Sequence, residues 1–137
     1  MVTLKKTEKL KNIGKSCPGV YALVNHSKQK CYIGQTKNLK DRIACHVNTL
    51  DTGKHHCKEL QEDYNKGDKI EIIILAETKK YSDERKCLED YYIMCLHERN
   101  IGLYNDLGQA KSDKNFFYRA SFLDFNVRNL IQNIRLQ

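Results

Sequence analysis

Residues 69–77 read KIEIIILAE, and the centre of that run is apolar at both odd and even positions. A strand turns successive side chains to opposite faces of its sheet, so a strand that is apolar on both faces needs cover on both. A chain that contains it has to place helices or a second sheet above and below one sheet. With 137 residues and 16.0 kDa there is enough chain for one such domain, but too little for a catalytic domain plus a separate recognition domain of ordinary size.

The flanking segments supply the other layers. After Pro18-Gly19, VYALV alternates as a strand, NHSKQK is a polar turn and CYIGQ is a second strand, so 19–35 reads as a β-hairpin. If Tyr21 pairs with Tyr32, or is offset from that pairing by two residues, both rings share one face of the sheet. Asn38 is placed to cap a helix carrying Leu39, Ile43, Val47 and Leu50 at helical spacing. Arg42 and His46 fall on the border of that stripe, directed along the sheet toward the tyrosines. A second short helix, about HCKELQEDYNK, rests on Cys57, Leu60 and Tyr64 and stops at Gly67. Ser82 opens a helix to about His97 whose stripe is Leu88, Tyr91, Tyr92, Cys95 and Leu96, with Glu89 inside the apolar arc. Ser121 caps a final helix over 121–136. The expectation is a single α/β domain with a small, about three-stranded, mainly antiparallel sheet flanked by helices, plus a C-terminal helix. It divides into a basic N-terminal segment, 1–18, the compact domain, 19–106, and a basic and aromatic helical extension, 107–137.

Net charge +7 and a pI near 9.1 favour a polyanionic partner. Acids outnumber bases only in 59–107, so basic segments flank an acidic middle. The longest apolar runs, VYALV and IIILA, are too short for a membrane span or a signal-peptide core, and the N-terminus is charged. A cytoplasmic protein with no membrane partner is expected. Cys17, Cys31, Cys45, Cys57, Cys87 and Cys95 form no CxxC pair, which suits reduced, mostly buried thiols better than a disulfide frame.

GVY at 19–21, YIG at 32–34, Arg42 on the next helix, Glu89 on a later one and Asn105 beyond it occur in the order of the GIY-YIG nucleases, which the chain resembles from about Gly19 to Asn105. The likeness is greatest to the catalytic domains of phage-type homing endonucleases of that family. They also have a histidine one turn beyond the arginine and another ahead of a helix like KELQEDYNKGD, here His46 and His55. The resemblance implies a divalent-metal-dependent endonuclease acting on double-stranded DNA, of a homing, phage or mobile-element kind, with restriction-type and repair-type nucleases as alternatives. It implies Glu89 as ligand of one Mg2+ or Mn2+ ion, Arg42 on the scissile phosphate, Tyr21 or Tyr32 orienting or deprotonating the attacking water, and His46 relaying that proton. Gly34, Lys37, His55 and Asn105 are expected at the substrate, Gly34 as a close approach to DNA or as a strand-end turn, Asn105 as a phosphate contact or a brace. The chemistry suits these residue types in its own right. Phosphodiester hydrolysis needs a deprotonated water, a cation at the phosphoryl oxygens and help for the leaving oxygen, and Tyr, Arg and Glu supply all three. One position departs from the pattern: several family members carry lysine directly after YIG, where this chain has Gln35, with Lys37 two positions on.

Two readings compete. One is a non-catalytic nucleic-acid-binding module in which Glu89 is a core ion-pair partner; the other is a small zinc protein using Cys45, His46, His55, His56 and Cys57. Arg42 has its own plain alternative, a surface ion pair with Asp41, Glu62 or Glu89. The tail after Asn105 carries Lys111, Lys114, Arg119, Arg128, Arg135 and FFY at 116–118. Either it touches DNA, or the apolar face of its helix packs on the core or on a second subunit, which would make a homodimer.

Overall fold

A computed structural model describes residues 2–4, 15–79, 82–105 and 125–135. Five strands, β1 (Val2–Leu4), β2 (Gly19–Asn25), β3 (Lys30–Thr36), β4 (Ile70–Glu77) and β5 (Gly102–Leu103), form one sheet in the order β1-β4-β2-β3-β5. Every pairing is antiparallel except β3 with β5. The three long strands are the ones the sequence predicts, and two short strands extend the sheet at its edges. The apolar run forms β4, an inner strand between β1 and β2.

Among the described residues four helices cover both faces: α1 (Leu39–Asp51), α2 (Lys58–Asn65), α3 (Ser82–Glu98) and α4 (Phe125–Arg135). Asn38 caps α1 as expected, its side chain accepting the Asp41 N–H at 3.1 Å. Beyond α2 the chain takes a positive φ of 95° at Gly67, a conformation that ends a helix at little cost only for glycine. The expected cap Ser121 and the aromatic cluster at 116–118 lie outside the described residues.

Alternation along β4 divides the core. Ile70 and Ile72, with Ile74 packed at the margin, face a cluster built from Tyr21, Leu23, Leu39, Ile43, Val47, Leu50, Leu60 and Tyr64, so α1 and α2 lie on that side. Leu75, with Ile73 and Ala76, faces the opposite cluster, in which β2 and β3 give Val20, Ala22, Val24, Cys31 and Ile33 and the helices α3 and α4 supply the cover. Two consecutive residues, Leu75 and Ala76, turn to the same side because the β2–β4 register shifts between Val20 and Tyr21. Val20 pairs with Ala76 but Tyr21 pairs with Ile74, leaving Leu75 as the extra residue of a bulge. Bulges add local twist and redirect neighbouring side chains, and this one lies beside Tyr21.

The C-terminal helix is part of the core. Val127, Leu130, Ile131 and Ile134 are buried against β-sheet and α3 residues of the same chain. Asn133 Nδ2 reaches Glu71 of β4, and Arg135 donates to the Arg99 carbonyl at 3.1 Å. The apolar face that would have served a second subunit is thus spent inside the chain, because the open face of the sheet beside α3 needs cover. The thiols also differ from expectation. All six are free, but only Cys31 and Cys95 are buried, Cys45 being exposed on the outer face of α1.

Truncating the buried Ile134 to alanine should cost about 2–5 kcal/mol in a denaturant titration. Because the side chain belongs to its own chain's core, that loss should not vary with protein concentration; a concentration-dependent loss would place α4 in a subunit interface.

Candidate active site

Tyr21 and Tyr32 share a face, since Tyr21 lies opposite Gly34 and Tyr32 opposite Leu23, the two-residue offset allowed by the hairpin. Gly34 is the reason the Tyr21 ring can lie across β3. A Cβ on Gly34 would overlap the phenol carbon and oxygen of Tyr21, so the backbone at Gly34 is closely approached by a ring from its own chain. Tyr21 is 1 % exposed and Tyr32 is half-buried.

Helix α1 brings Arg42 and His46 to these rings, as its stripe predicts. His46 Nε2 is 2.5 Å from the Tyr21 hydroxyl and the ring is 2 % exposed. The Arg42 guanidinium stands close to both phenols, and its charge favours their ionised forms. The segment between α1 and α2 adds His55, whose Nε2 lies 2.7 Å from His46 Nδ1, and His56, which stacks on His55 and touches the Tyr32 hydroxyl loosely at 3.4 Å. The His55 backbone is clamped by Gln61, which accepts its N–H at 3.0 Å and donates to the Leu50 carbonyl at 2.9 Å.

The other side of the sheet supplies the carboxylate. Pairing along the outer edge of β3 runs from β5 at Lys30 and Cys31 to the Asn105 side chain at Ile33, which accepts from the Ile33 N–H at 2.8 Å and donates to its carbonyl at 2.7 Å. Two residues on, the Gln35 backbone amide lies near the Glu89 carboxylate and favours its charged form. The Gln35 side chain accepts from Arg85 Nε at 3.1 Å. The Glu89 carboxylate is near enough to both tyrosines to raise their pKa values. Two phenols, a guanidinium and an imidazole pair therefore stand on one face of β3, with a half-buried carboxylate held at its edge. The GIY-YIG catalytic domain family matches residues 17–100, which contain all of them. The chain belongs to the GIY-YIG family of nuclease catalytic domains.

Among solved structures this GIY-YIG domain is similar to the catalytic domain of the homing endonuclease I-TevI, with 28% identity and a TM-score of 0.57 over 65% of this chain and 99% of that one. It is also similar to a glutamate-to-alanine form of the catalytic domain of that intron endonuclease, with 29% identity and a TM-score of 0.54 over 62% and 89% of the two chains. No curated protein sequence matches it.

The electrostatics follow from burial. Desolvation raises the pKa of Tyr21, helped by the neighbouring Tyr32, while the nearby Arg42 guanidinium pulls it down. Tyr32 is raised for the same first reason. Burial pushes His46 down to about 3 and His55 down to about 4, with Arg42 and the neighbouring imidazoles opposing a further positive charge. Both rings are therefore neutral at pH 7. Burial holds Glu89 above its ordinary value and Asp90 adds to this, against the Gln35 amide and Lys86. A carboxylate kept in that state favours a neighbouring cation.

Of the remaining expected site residues, Asn105 spends both ends of its amide on the Ile33 backbone, and Lys37 is exposed in the turn before α1, outside the hydrogen-bonded group among the described residues. No carboxylate pairs with Arg42 among the described residues, so its guanidinium serves the phenols. The imidazoles stack and bond to one another, and among the described residues no group of three or more His, Cys, Asp or Glu is arranged to hold a metal ion. A closed zinc site of the kind the cysteines and histidines suggested does not form there. A lone carboxylate fits a different ion chemistry, that of Mg2+, which takes one or two protein oxygens and fills the rest with water and phosphate.

Gln61 and Arg85 were not singled out by sequence reasoning. Both carry the signal that marked Glu89, a polar residue on an apolar arc. Gln61 follows Leu60 and precedes Tyr64 by three, and Arg85 precedes Leu88 by three and Tyr92 by seven. Both are buried.

Neutral histidines make stability depend on pH. Folded His46 and His55 bind protons far less readily than a histidine with the ordinary value of 6.5, so their contribution is complete above about pH 6.5 and is lost as pH falls toward about 4 and then 3. Unfolding free energy should decline between pH 7 and 4, and His46→Asn should flatten part of that decline. Denaturant titrations at several pH values check this; parallel curves for the two proteins would contradict it.

Proposed function

We propose that this domain is a divalent-metal-dependent endonuclease that hydrolyses phosphodiester bonds in double-stranded DNA, of the homing or mobile-element type. The observation that carries the reading is the Tyr21 hydroxyl, hydrogen-bonded by His46 and flanked by the Arg42 charge on a face of β3, with Glu89 near the strand's edge. The similarity to the catalytic domain of a homing endonuclease supports the finer class, and the net charge of +7 suits a polyanionic substrate.

Tyr21 is the group that takes a proton from the attacking water. Its buried hydroxyl needs nearby positive charge to ionise, and Arg42 supplies it. Arg42 lies between the two phenols with a fork of donors, so it can hold a phosphate oxygen while it steadies both rings. Tyr32, less buried and beside His56, orients the water or the phosphate from the solvent side. His46 and His55 hold the Tyr21 oxygen in place. Glu89 would hold the ion, Mg2+ or Mn2+, which when bound stabilises charge on the leaving oxygen. Gly34 and Asn105 shape the site from behind, one by admitting the Tyr21 ring and the other by bracing β3. Lys37 is exposed where it can meet a phosphate of the flanking backbone.

Arg42→Ala should lower the cleavage rate of a plasmid at least ~100-fold, the range for loss of one preorganised charge stabiliser, with the far-ultraviolet spectrum unchanged. Wild-type cleavage by this variant would remove Arg42 from the reaction.

Glu89→Gln keeps volume and removes charge. It should abolish cleavage, leave melting close to wild type and keep or improve DNA affinity, since one carboxylate has left the phosphate's neighbourhood. A core ion-pair role for Glu89 would instead make the variant unstable by about 3–5 kcal/mol. An active, stable Glu89→Gln protein would sink the assignment.

A further inference from the structure

The histidine pair is joined to a group whose hydrogen-bonding role cannot vary. The Cys57 backbone N–H points at His55 Nδ1 at 3.0 Å. A backbone N–H only donates, so His55 Nδ1 carries no hydrogen. A neutral imidazole has one hydrogen, which His55 must then carry on Nε2. That nitrogen lies 2.7 Å from His46 Nδ1, so His46 Nδ1 is the acceptor and the His46 hydrogen is on Nε2. His46 Nε2 lies 2.5 Å from the Tyr21 hydroxyl. The direction of the whole chain runs from the Cys57 amide inward.

We propose that the Cys57 amide and Gln61 lock His55 and His46 as Nε2–H tautomers, so that His46 donates to the Tyr21 oxygen instead of taking its proton, and that Gln61 is the positioning residue of this relay. The second half rests on how the segment is held. Cys57 directly precedes α2, where N–H groups lack helical partners. Gln61, one turn into α2, accepts the His55 N–H through Oε1 and donates through Nε2 to the Leu50 carbonyl and to Asn65 Oδ1, both at 2.9 Å. The orientation of its amide is unambiguous, because an N–H and a carbonyl cannot exchange places. It therefore ties the His55 segment to the end of α1, the helix that carries His46.

The consequence falls on Tyr21. A phenol oxygen has two lone pairs and one hydrogen. His46 donates to it and the Arg42 guanidinium stands beside it as a positive charge, so its own O–H is not needed by His46. When that proton leaves to a solvent hydroxide, giving phenolate and water, the His46 donor and the Arg42 charge remain and stabilise the charge left behind. A reversed relay would require His55 to accept on both nitrogens, which only an imidazolate can do.

The mechanistic value of the relay rests on the nuclease reading, but its direction does not, so the test begins without DNA or metal. Long-range 1H–15N correlation spectra of the uniformly labelled full chain at pH 7 distinguish a protonated from an unprotonated ring nitrogen. His46 and His55 should each show a protonated Nε2 and a bare Nδ1. An Nδ1–H tautomer, or a doubly protonated ring, at either position overturns the proposal, and this outcome is read on the wild-type protein whatever its variants do. Gln61→Met keeps the length of the side chain and removes its polar atoms. It should blur the single tautomer of His46 into an averaged spectrum and lower kcat for DNA cleavage roughly 10- to 100-fold, with KM little changed, as expected when a reacting group is held less well. Unchanged tautomers in a folded Gln61→Met protein would remove Gln61 from the relay. A wild-type protein with the expected tautomers and no cleavage under any divalent ion would sink the nuclease reading alone.

Discussion

The site depends on one close contact, the Tyr21 ring laid over the bare α-carbon of Gly34. Any side chain at 34 would meet the phenol, and β2 and β3 are locked in register by seven residue pairs, so the ring could not move without leaving the sheet. The bulge at Leu75 adds to the constraint by changing the β2–β4 register beside Tyr21. With the phenol pinned there, Arg42 and His46 have a fixed target, since both stand on a helix whose apolar stripe is anchored by Leu39, Ile43, Val47 and Leu50.

Burial then decides which groups are charged. A protein with an excess of positive charge concentrates three imidazoles beside an arginine and keeps the two inner ones neutral, because desolvation and like charge act in the same direction on them. Arg42 keeps its charge because a guanidinium holds its proton at any working pH, and the phenols beside it offset part of its desolvation. The result is one fixed cation at the hydroxyl of Tyr21, with neutral donors behind it. Positive charge is thereby focused where a phosphate oxygen would sit.

The edge of β3 joins the two faces of the sheet. Along it, Cys31 pairs with Leu103 and Ile33 with the Asn105 amide, and the next outward amide, that of Gln35, lies near the Glu89 carboxylate. Glu89 comes from a helix on the face opposite the tyrosines, so it meets them only around this edge. Gln35, at the position where several family members carry lysine, has its backbone amide near Glu89 and accepts from a buried arginine, Arg85, through its side chain. The bound position of the carboxylate thus depends on the strand rather than on a basic side chain at 35.

Much of this was legible in the residues. Periodicity located the three long strands, the four helices and the face each helix buries, and it directed Arg42 and His46 toward the tyrosines, because alternation and helical spacing are local properties of the chain. The order of GVY, YIG, Arg42, Glu89 and Asn105 carried the family. Other features required the fold. The edge strands β1 and β5 are too short to have a period, and whether α4 met its own core or another copy depended on which face of the sheet was left open. Gly34 could not be read as the seat of Tyr21 until the register was known, and the direction of the histidine chain could not be read until an amide from the start of α2 met His55. Those are contacts between residues distant in sequence, and only the tertiary structure brings them within the few ångströms at which hydrogen bonds and steric exclusion act.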